Sequence, residues 1–288
     1  MKNILVTGGY GQLATCIKDR IQDLIGFNFI FIDCDELDIT NKEEVVSFYS
    51  QQKIDYCINC AAYTAVDKAE TEPALAKNVN EIGVRNLAES CKEYDSVFIQ
   101  ISTDFVFDGQ QSSPYREIDI TNPLSVYGST KLKGEEAAKS SLKKHFIIRT
   151  SWLYSEHGNN FLKTMLRLGN EKDEIGVVWD QIGTPTYAGD LASLVIKLIT
   201  KENKSYGIYH YSNEGIASWY DFAKAIFEES KTEIKLRPIL TEAYPTSAKR
   251  PCFSVMDKSK IKTTFNIEIP YWKDSLRNAL TLLKNGKN

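Results

Sequence analysis

The chain has 288 residues, enough for one large domain or two closely associated ones. Hydrophobic residues make up 42% and charged residues 25%, and the formal net charge of −3 excludes the strongly basic surface of a nucleic-acid-binding or membrane-surface protein. No apolar run approaches the roughly 20 residues of a membrane span. The first residues pass from a short strand into glycine without a signal-peptide cleavage site, so we expect a cytoplasmic protein.

The first half of the chain alternates strands with helices. Continuous apolar runs predict buried strands at residues 3–7, 27–33, 54–61, 96–102 and 146–150. Helices are predicted at residues 12–24, at 40–52 with a capping box formed by Thr40 and Glu43, at about 73–93, and from Tyr127 onward. Apolar strands separated by helices predict a parallel sheet covered on both faces. The fold class is therefore α/β, with a doubly wound Rossmann sheet.

The second half is less regular. Its patterns predict strands at 174–179 and 207–211 and helices at 189–200, 218–229 and 271–283, with Ser218 and Asp221 capping the second of these helices. We expect a cofactor-binding domain at about residues 1–150 and a smaller, mixed substrate-binding lobe at about 151–288, interleaved with it.

Six cysteines are scattered along the chain, and Cys57 and Cys60 form a Cys-x-x-Cys motif. Such a motif can be a redox or zinc site. Here it lies inside an apolar strand, no second cysteine pair accompanies it, and the three histidines are isolated. We therefore interpret both cysteines as core residues.

A glycine motif at the first strand–helix turn indicates dinucleotide binding. In Gly8-x-x-Gly11-x-x-Ala14 the small residues let the backbone approach a pyrophosphate at the helix N-terminus, although a plain tight turn is the alternative. Asp33 ends the second strand, where a carboxylate accepts from the ribose 2′-hydroxyl of NAD and repels a 2′-phosphate. The cofactor is thus NADH or NADPH, with NADH favoured.

Two further segments extend this cofactor cleft. Asp38 and Ile39 are placed to reach the adenine, although Asp38 is equally well read as a turn or helix-capping acid. Ala62, Tyr63 and Thr64 follow the third strand and are expected to line the nicotinamide half of the cleft.

Tyr127 and Lys131 form a Tyr-x-x-x-Lys motif at the start of a predicted helix. Residues four apart lie on one helical face, so the phenol and the ammonium can reach the same pocket. A nearby lysine charge favours the phenolate and is expected to lower the tyrosine pKa from about 10 toward the working range. Thr103, about 25 residues upstream, offers a hydroxyl to the same reacting oxygen. Such a trio suits proton exchange with a carbonyl/alcohol pair.

These motifs together resemble those of the extended short-chain dehydrogenases/reductases that act on nucleotide sugars, and most sharply those of the dTDP-4-dehydrorhamnose reductases. The resemblance runs from residue 4 to about 190. The matching segments are residues 11–13, 59–70, 102–109, 123–128, 149–154, 158–161 and 180–186.

The resemblance implies that NAD(P)H reduces the C4 ketone of dTDP-4-dehydro-β-L-rhamnose to dTDP-β-L-rhamnose. It implies that Tyr127 donates the proton, that Lys131 binds the nicotinamide ribose and tunes Tyr127, and that Thr103 binds the carbonyl oxygen. By the same resemblance the cofactor contacts are Gly11, Gln12, Leu13, Asp38, Ile39, Ala62, Tyr63 and Thr64, and the substrate contacts are Thr103, Asp104 and Trp152. For Trp152 the alternative is a core aromatic, but its place at the end of the fifth strand favours a ligand contact. Arg250 is the best candidate for neutralising the substrate pyrophosphate, with a solvated surface arginine as the alternative.

Two positions depart from the family pattern. The fingerprint ends in Ala14, where glycine is commoner, and a methyl group is small enough for cofactor binding to persist. Some family members form a magnesium-dependent dimer through a glutamate in the first helix, and Cys16 occupies that position here. Since a thiol is a poor ligand for this hard cation, we expect no magnesium site, and a homodimer is left open.

Three alternative functions remain. A nucleotide-sugar dehydratase needs an Asp-Glu pair after the threonine, whereas Asp104 is followed by Phe105. A reductase or epimerase for another nucleotide 4-keto sugar is compatible with the motifs. A non-catalytic, cofactor-binding regulatory subunit is the alternative from another class, against which the intact trio argues.

Overall fold

The computed structural model describes residues 1–285 and is built around one parallel sheet. The strands are β1 (Lys2–Thr7), β2 (Phe27–Ile32), β3 (Tyr56–Asn59), β4 (Val97–Thr103), β5 (His145–Thr150), β6 (Leu153–Tyr154), β7 (Glu174–Val178), β8 (Ile182–Gly183), β9 (Thr186–Tyr187), β10 (Gly207–His210), β11 (Ala217–Ser218) and β12 (Lys235–Ile239). The helices are α1 (Gln12–Lys18), α2 (Lys42–Gln51), α3 (Val66–Ala69), α4 (Pro73–Lys77), α5 (Val84–Glu93), α6 (Val126–Ser141), α7 (Phe161–Glu171), α8 (Ala188–Thr200), α9 (Trp219–Ser230), α10 (Ser259–Phe265) and α11 (Trp272–Asn285).

Six strands form the central sheet in the order β10-β5-β4-β3-β1-β2, and every pairing in it is parallel. Successive side chains point to opposite faces, so Ile4 and Val6 enter one hydrophobic core while Leu5 enters another. Helices α1 and α8 cover the first face, and α2, α5 and α6 cover the second. Both faces are buried, which confirms the doubly wound α/β prediction.

A third core forms beside the sheet from the second half of the chain. Helices α7, α9 and α11 pack there around residues such as Phe222 and Trp272, next to the short pairs β7–β12, β8–β11 and β6–β9. Strand β10, however, leaves this region and adds to the edge of β5 in the central sheet. The division at about residue 150 stays a prediction, and one strand from beyond it belongs to the main sheet.

Two of the differences from the predicted elements concern α1 and α2. Helix α1 ends at Lys18 rather than near residue 24, because the chain must turn back through Gly26, at φ +89°, to enter β2. Helix α2 is capped by Asn41, whose side chain accepts from the backbone N–H groups of Glu43 and Glu44. Thr40 is not the cap, because its hydroxyl donates to Asp38 instead.

Two other local features concern the helices. Ser218 and Asp221 form the capping box of α9, as predicted. Helices α4 and α5 are joined by a π-helical segment, Asn78–Gly83, so the single helix predicted there contains a local widening. Among residues 1–285, no helix combines the length and the apolar character needed to cross a membrane.

Candidate active site

The candidate site lies at the edge of the sheet where the parallel strands end. The turns and loops that follow β1, β3, β4 and β5 all emerge at this edge, as ligand-binding loops do in open α/β sheets. They bring together the glycine motif, the segment 61–64, Thr103 and Trp152. Helix α6 adds Tyr127 and Lys131 to the same region through its contacts with β4 and with the turn at residues 104–106.

The glycine motif forms a tight turn closed by backbone. Gly8 has φ +63°, and a Cβ built on it would lie 2.7 Å from the backbone nitrogen of Ala61. The Gly11 N–H donates to the Gly8 carbonyl oxygen at 2.9 Å, and Gly11 is the N-cap of α1. Ala14 is fully buried, so its methyl group fits the close contact between helix and sheet. Because only glycine fits at this turn, the backbone there is open to the close approach of a pyrophosphate.

Gln12 and Leu13 begin α1 and face protein rather than solvent. The Gln12 side-chain amide donates to the Leu153 carbonyl oxygen at 3.3 Å and accepts from Ser155 at 3.2 Å. Leu13 is buried in the first core. Gln12 thereby ties the glycine turn to the segment that follows β6.

Asp33 lies directly after β2, beside the glycine turn. Its carboxylate accepts from the Tyr10 N–H at 3.0 Å and from the Cys34 N–H at 2.8 Å. This places a negative charge at the mouth of the turn, where a ribose would follow a pyrophosphate. Its role in cofactor choice stays a prediction.

Asp38 and Ile39 have structural partners of their own. The Asp38 carboxylate accepts from both the N–H and the hydroxyl of Thr40, each at 2.8 Å, so it acts here as a turn acid. The Ile39 side chain is buried in the second core, against Gly83. Any adenine contact from this segment would therefore involve backbone or the remaining carboxylate oxygen.

The segment Ala62, Tyr63 and Thr64 is held by a residue that the sequence analysis missed. Asn80, in the π-helical segment, accepts from the Tyr63 N–H at 2.9 Å and donates to the Tyr63 carbonyl oxygen at 3.1 Å. Its amide also lies 3.2 Å from the Thr130 hydroxyl, on α6. Asn80 thus connects the expected nicotinamide loop to the helix of Tyr127. A buried asparagine at a helix irregularity is the signal that indicates such a role.

Thr103 ends β4 and begins a turn that contacts α6. Its hydroxyl accepts from the Phe105 N–H at 3.2 Å and donates to the Asp104 carboxylate at 3.0 Å. The Phe105 ring meets the Tyr127 ring edge to face at 5.6 Å between centroids. Lys131, one turn along α6, donates from Nζ to the Ile101 carbonyl oxygen at 2.7 Å. The three residues of the predicted trio therefore meet at one junction of β4 and α6.

The protonation of Tyr127 differs from the expectation. Burial raises its pKa to about 12, with Thr103 opposing the rise and Asp104 adding to it. Burial also lowers the pKa of Lys131 to about 8, with Glu135 opposing the fall. The expectation that Lys131 lowers the Tyr127 pKa is wrong for this structure, because loss of water around the phenol is the dominant effect. Tyr127 holds its proton at neutral pH, as a proton donor must.

Asp104 is a buried acid next to this trio. Burial raises its pKa to about 6, while the nearby hydroxyl groups of Ser254 and Thr103 oppose the rise. One of its carboxylate oxygens, Oδ2, is buried and has no hydrogen-bond partner within the described residues. An acceptor left free in this way fits a ligand hydroxyl.

Trp152 follows β5 with φ +46°, a left-handed conformation that is rare for a tryptophan. Its indole stacks on that of Trp219 at 3.7 Å between centroids, and its far edge contacts Gly183. Trp219 is a second residue that sequence reasoning missed, since α9 lies far along the chain. Backbone strain of this kind is concentrated at ligand sites.

Arg250 is not a free cation in this structure. Its guanidinium forms a two-point ion pair with Asp67, with nitrogen–oxygen distances of 2.7 and 3.1 Å. The same arginine holds the Asp67 pKa below its ordinary value. A role at the substrate pyrophosphate stays a prediction, and it would require Arg250 to leave or share this partner.

The Cys-x-x-Cys motif lies behind the site. Cys57 is fully buried in the second core, Cys60 packs against the first, and neither is in a disulfide. Burial raises the pKa of Cys60 to about 12, which keeps it a thiol.

Comparison with known proteins places this arrangement in a family. Residues 1–285 match the family model described as RmlD substrate binding domain. A dTDP-4-dehydrorhamnose reductase of Aggregatibacter actinomycetemcomitans is 45% identical, over 96% of this chain and 98% of that relative.

Two solved structures have the same fold over nearly the whole chain. A dTDP-4-dehydrorhamnose reductase from Clostridium acetobutylicum superposes with a TM-score of 0.95 at 44% identity, covering 98% of this chain and 99% of that one. The enzyme of that name from Bacillus anthracis, solved in complex with NADP, gives a TM-score of 0.94 at 38% identity and covers 98% of this chain and 100% of that one. These matches confirm the family predicted from the motifs. The chain belongs to the dTDP-4-dehydrorhamnose reductase family.

Proposed function

We propose that this protein reduces the C4 ketone of dTDP-4-dehydro-β-L-rhamnose with NADH or NADPH, giving dTDP-β-L-rhamnose. The observation on which this rests is the junction of β4 and α6, where Thr103, Tyr127 and Lys131 meet at the same edge of the sheet as the glycine turn. Several relatives at 36–45% identity are named dTDP-4-dehydrorhamnose reductase, and a relative with the same fold was solved with NADP. The alternatives of a scaffold or a dehydratase gain no comparable support.

The bound nicotinamide would supply a hydride to C4. Tyr127, whose pKa burial raises to about 12, is protonated at neutral pH and would donate its proton to the C4 oxygen. The ammonium of Lys131, held in place by the Ile101 carbonyl oxygen, would then stabilise the phenolate left behind. The proton returns to Tyr127 from solvent between turnovers.

Thr103 would hold the ketone oxygen by a hydrogen bond. In the structure described here its single proton is donated to Asp104. Substrate binding must therefore turn the hydroxyl from the carboxylate toward the ketone. Asp104, whose Oδ2 already has no partner, would compensate by accepting from a sugar hydroxyl.

The remaining residues of the site are assigned either to the cofactor or to the substrate. Cofactor contacts are proposed for the glycine turn and the segments after β2 and β3. Substrate contacts are proposed for Asp104, Trp152 and, after release from Asp67, Arg250. We propose that the lobe at about 151–288 binds the sugar nucleotide. A cytoplasmic location and a homodimer stay predictions of the sequence.

The test follows nicotinamide absorbance when purified protein is mixed with enzymatically prepared dTDP-4-dehydro-β-L-rhamnose, with NADH and NADPH in parallel. We expect oxidation of at least one cofactor, a loss of roughly 100-fold or more in kcat for Tyr127→Phe, and unchanged cofactor binding. Tyr244→Phe, at a side chain that is 60% exposed, is the matched control and should keep full activity. If the protein binds the cofactor but does not turn over this substrate, the substrate assignment is wrong. Other nucleotide 4-keto sugars would then be assayed.

A further inference from the structure

A cluster of three metal-binding side chains lies one helical turn behind the glycine motif. The Cys16 sulfur, a carboxylate oxygen of Glu156 and an imidazole nitrogen of His157 all lie within 4.8 Å of one another. Cys16 comes from α1, and the other two follow β6. The cluster therefore joins two segments that are far apart in the sequence.

Glu156 is the residue that indicates a missing ligand. Its side chain is only 10% exposed, and Oε1 accepts from the Tyr187 hydroxyl at 2.9 Å. Its other oxygen, Oε2, is buried with no hydrogen-bond partner among the described residues. A buried carboxylate oxygen without a donor is costly, and a cation is one of the few groups that can satisfy it.

We propose that Cys16, Glu156 and His157 form a binding site for a late first-row divalent cation, specifically Zn²⁺. Thiolate, imidazole and carboxylate are the ligands of protein zinc sites. Zinc–ligand distances of about 2.0–2.3 Å correspond to ligand separations of roughly 3.5 Å. Closing the site would therefore require the Glu156 and His157 side chains to rotate and to rearrange their hydrogen bonds with Tyr187 and Asp19. Magnesium does not fit this donor set, because a thiolate is too soft for it.

The surrounding charges are compatible with this ion. Binding would release the Cys16 proton to solvent, so a thiolate and a carboxylate would balance the two positive charges of the metal. Asp19 Oδ2 lies 2.6 Å from His157 Nε2, where it can orient the imidazole or supply a fourth ligand. Arg20 is the opposing group: it donates to the Cys16 carbonyl oxygen at 3.0 Å and contacts Tyr187. His157 and Asp19 are partly exposed and give the ion a path from solvent.

Cobalt spectroscopy tests this site independently of catalysis. The titration uses Co²⁺ and then Zn²⁺ on full-length protein carrying Cys34→Ser and Cys252→Ser, which removes the exposed thiols. We expect a sulfur-to-cobalt charge-transfer band in the near ultraviolet, displaced by stoichiometric Zn²⁺ and unaffected by Mg²⁺. Cys16→Ser should abolish the band, and zinc should raise the melting temperature of the parent but not of this variant.

Because Cys16 is fully buried, its replacement can disturb folding, and His157→Asn at a partly exposed side chain is the second variant. It should keep the fold and weaken zinc binding at least tenfold, and Glu156→Gln should do the same. A band that is absent in the parent, or that persists in both Cys16→Ser and His157→Asn, would overturn the proposal. The latter result would mean that the metal binds another cysteine.

Discussion

Glu135 and Arg149 form a two-point ion pair inside the protein, with 2.7 Å between Nη2 and Oε2 and 2.9 Å between Nε and Oε1. Their side chains are 2% and 3% exposed. The Ser102 hydroxyl donates to the same carboxylate, and Glu135 lies one turn beyond Lys131 on α6. The Glu135 carboxylate therefore links α6, which carries Tyr127, to β5 through Arg149 and to β4 through Ser102.

Breaking this pair should be costly. Glu135→Gln leaves the Arg149 guanidinium buried and without its counter-charge, and we expect a loss of about 3 kcal/mol in the free energy of unfolding. Urea denaturation measures it. Glu228→Gln is the matched control, because its partner Lys224 and Glu228 itself are each 56% exposed, and it should change stability by less than about 0.5 kcal/mol. Equal effects of the two variants would contradict the structural role of the buried pair.

His210 should make the fold sensitive to acid. Burial and the neighbouring Arg149 lower its pKa to about 3, against an ordinary value of 6.5. Between these values the unfolded chain binds the extra proton, so stability falls as the pH drops from 6.5 toward 3. Asp104 acts oppositely: its folded pKa of about 6 lies above the ordinary value of 3.8, so its contribution to stability grows as the pH drops through that window.

Variants of His210 isolate its part of this pH dependence. His210→Gln should reduce the loss of unfolding free energy between pH 7 and pH 4 by at most about 3 kcal/mol relative to the parent. His157→Gln, at a partly exposed imidazole and measured in the presence of a metal chelator, is the control for removal of a histidine. Parallel stability curves for parent and His210→Gln would show that His210 titrates normally in the folded protein.

Gly128→Ala should separate Tyr127 from Thr103. A Cβ at Gly128 would collide with the Phe105 carbonyl oxygen, so α6 or the turn after β4 must move. Alanine is otherwise favoured over glycine in a helix, by up to about 1 kcal/mol, so a loss of stability in this variant would indicate the collision. We expect kcat to fall at least tenfold, with a smaller effect on cofactor binding.

The matched control for that variant is Gly176→Ala on β7. Its Cβ would meet side-chain atoms of Ile239 at 3.0 Å, which can move aside. Full activity in Gly176→Ala together with full activity in Gly128→Ala would show that the contact between α6 and the turn does not position the reacting groups.

Asp33→Ala should change the cofactor preference. Removing the carboxylate beside the glycine turn removes its repulsion of a 2′-phosphate and its hydrogen bond to a 2′-hydroxyl. We expect the ratio of kcat/KM for NADPH to that for NADH to rise roughly tenfold, equivalent to about 1.4 kcal/mol. Asp35→Ala, at an exposed neighbour, should leave the ratio unchanged. An unchanged ratio in Asp33→Ala would place the selectivity elsewhere.

The sequence predicts well what depends on neighbouring residues. The parallel strands, the glycine turn and the Tyr127 helix follow from local apolar patterns and spacing. Contacts between distant segments, and the burial that results from them, depend on the tertiary structure. The ion pair of Arg250 with Asp67 and the stacking of Trp152 on Trp219 join segments that no local pattern relates. The raised pKa of Tyr127 likewise depends on how completely the fold excludes water from the phenol.

The place of β10 in the central sheet has a consequence for folding during synthesis. Strand β5 is made long before β10, and the intervening chain forms much of a different core. A nascent chain that has just completed β5 therefore presents an unpaired, apolar sheet edge that persists until Gly207–His210 emerges from the ribosome. Premature termination within this interval should yield aggregation-prone fragments, and slow translation there would prolong the need for chaperones.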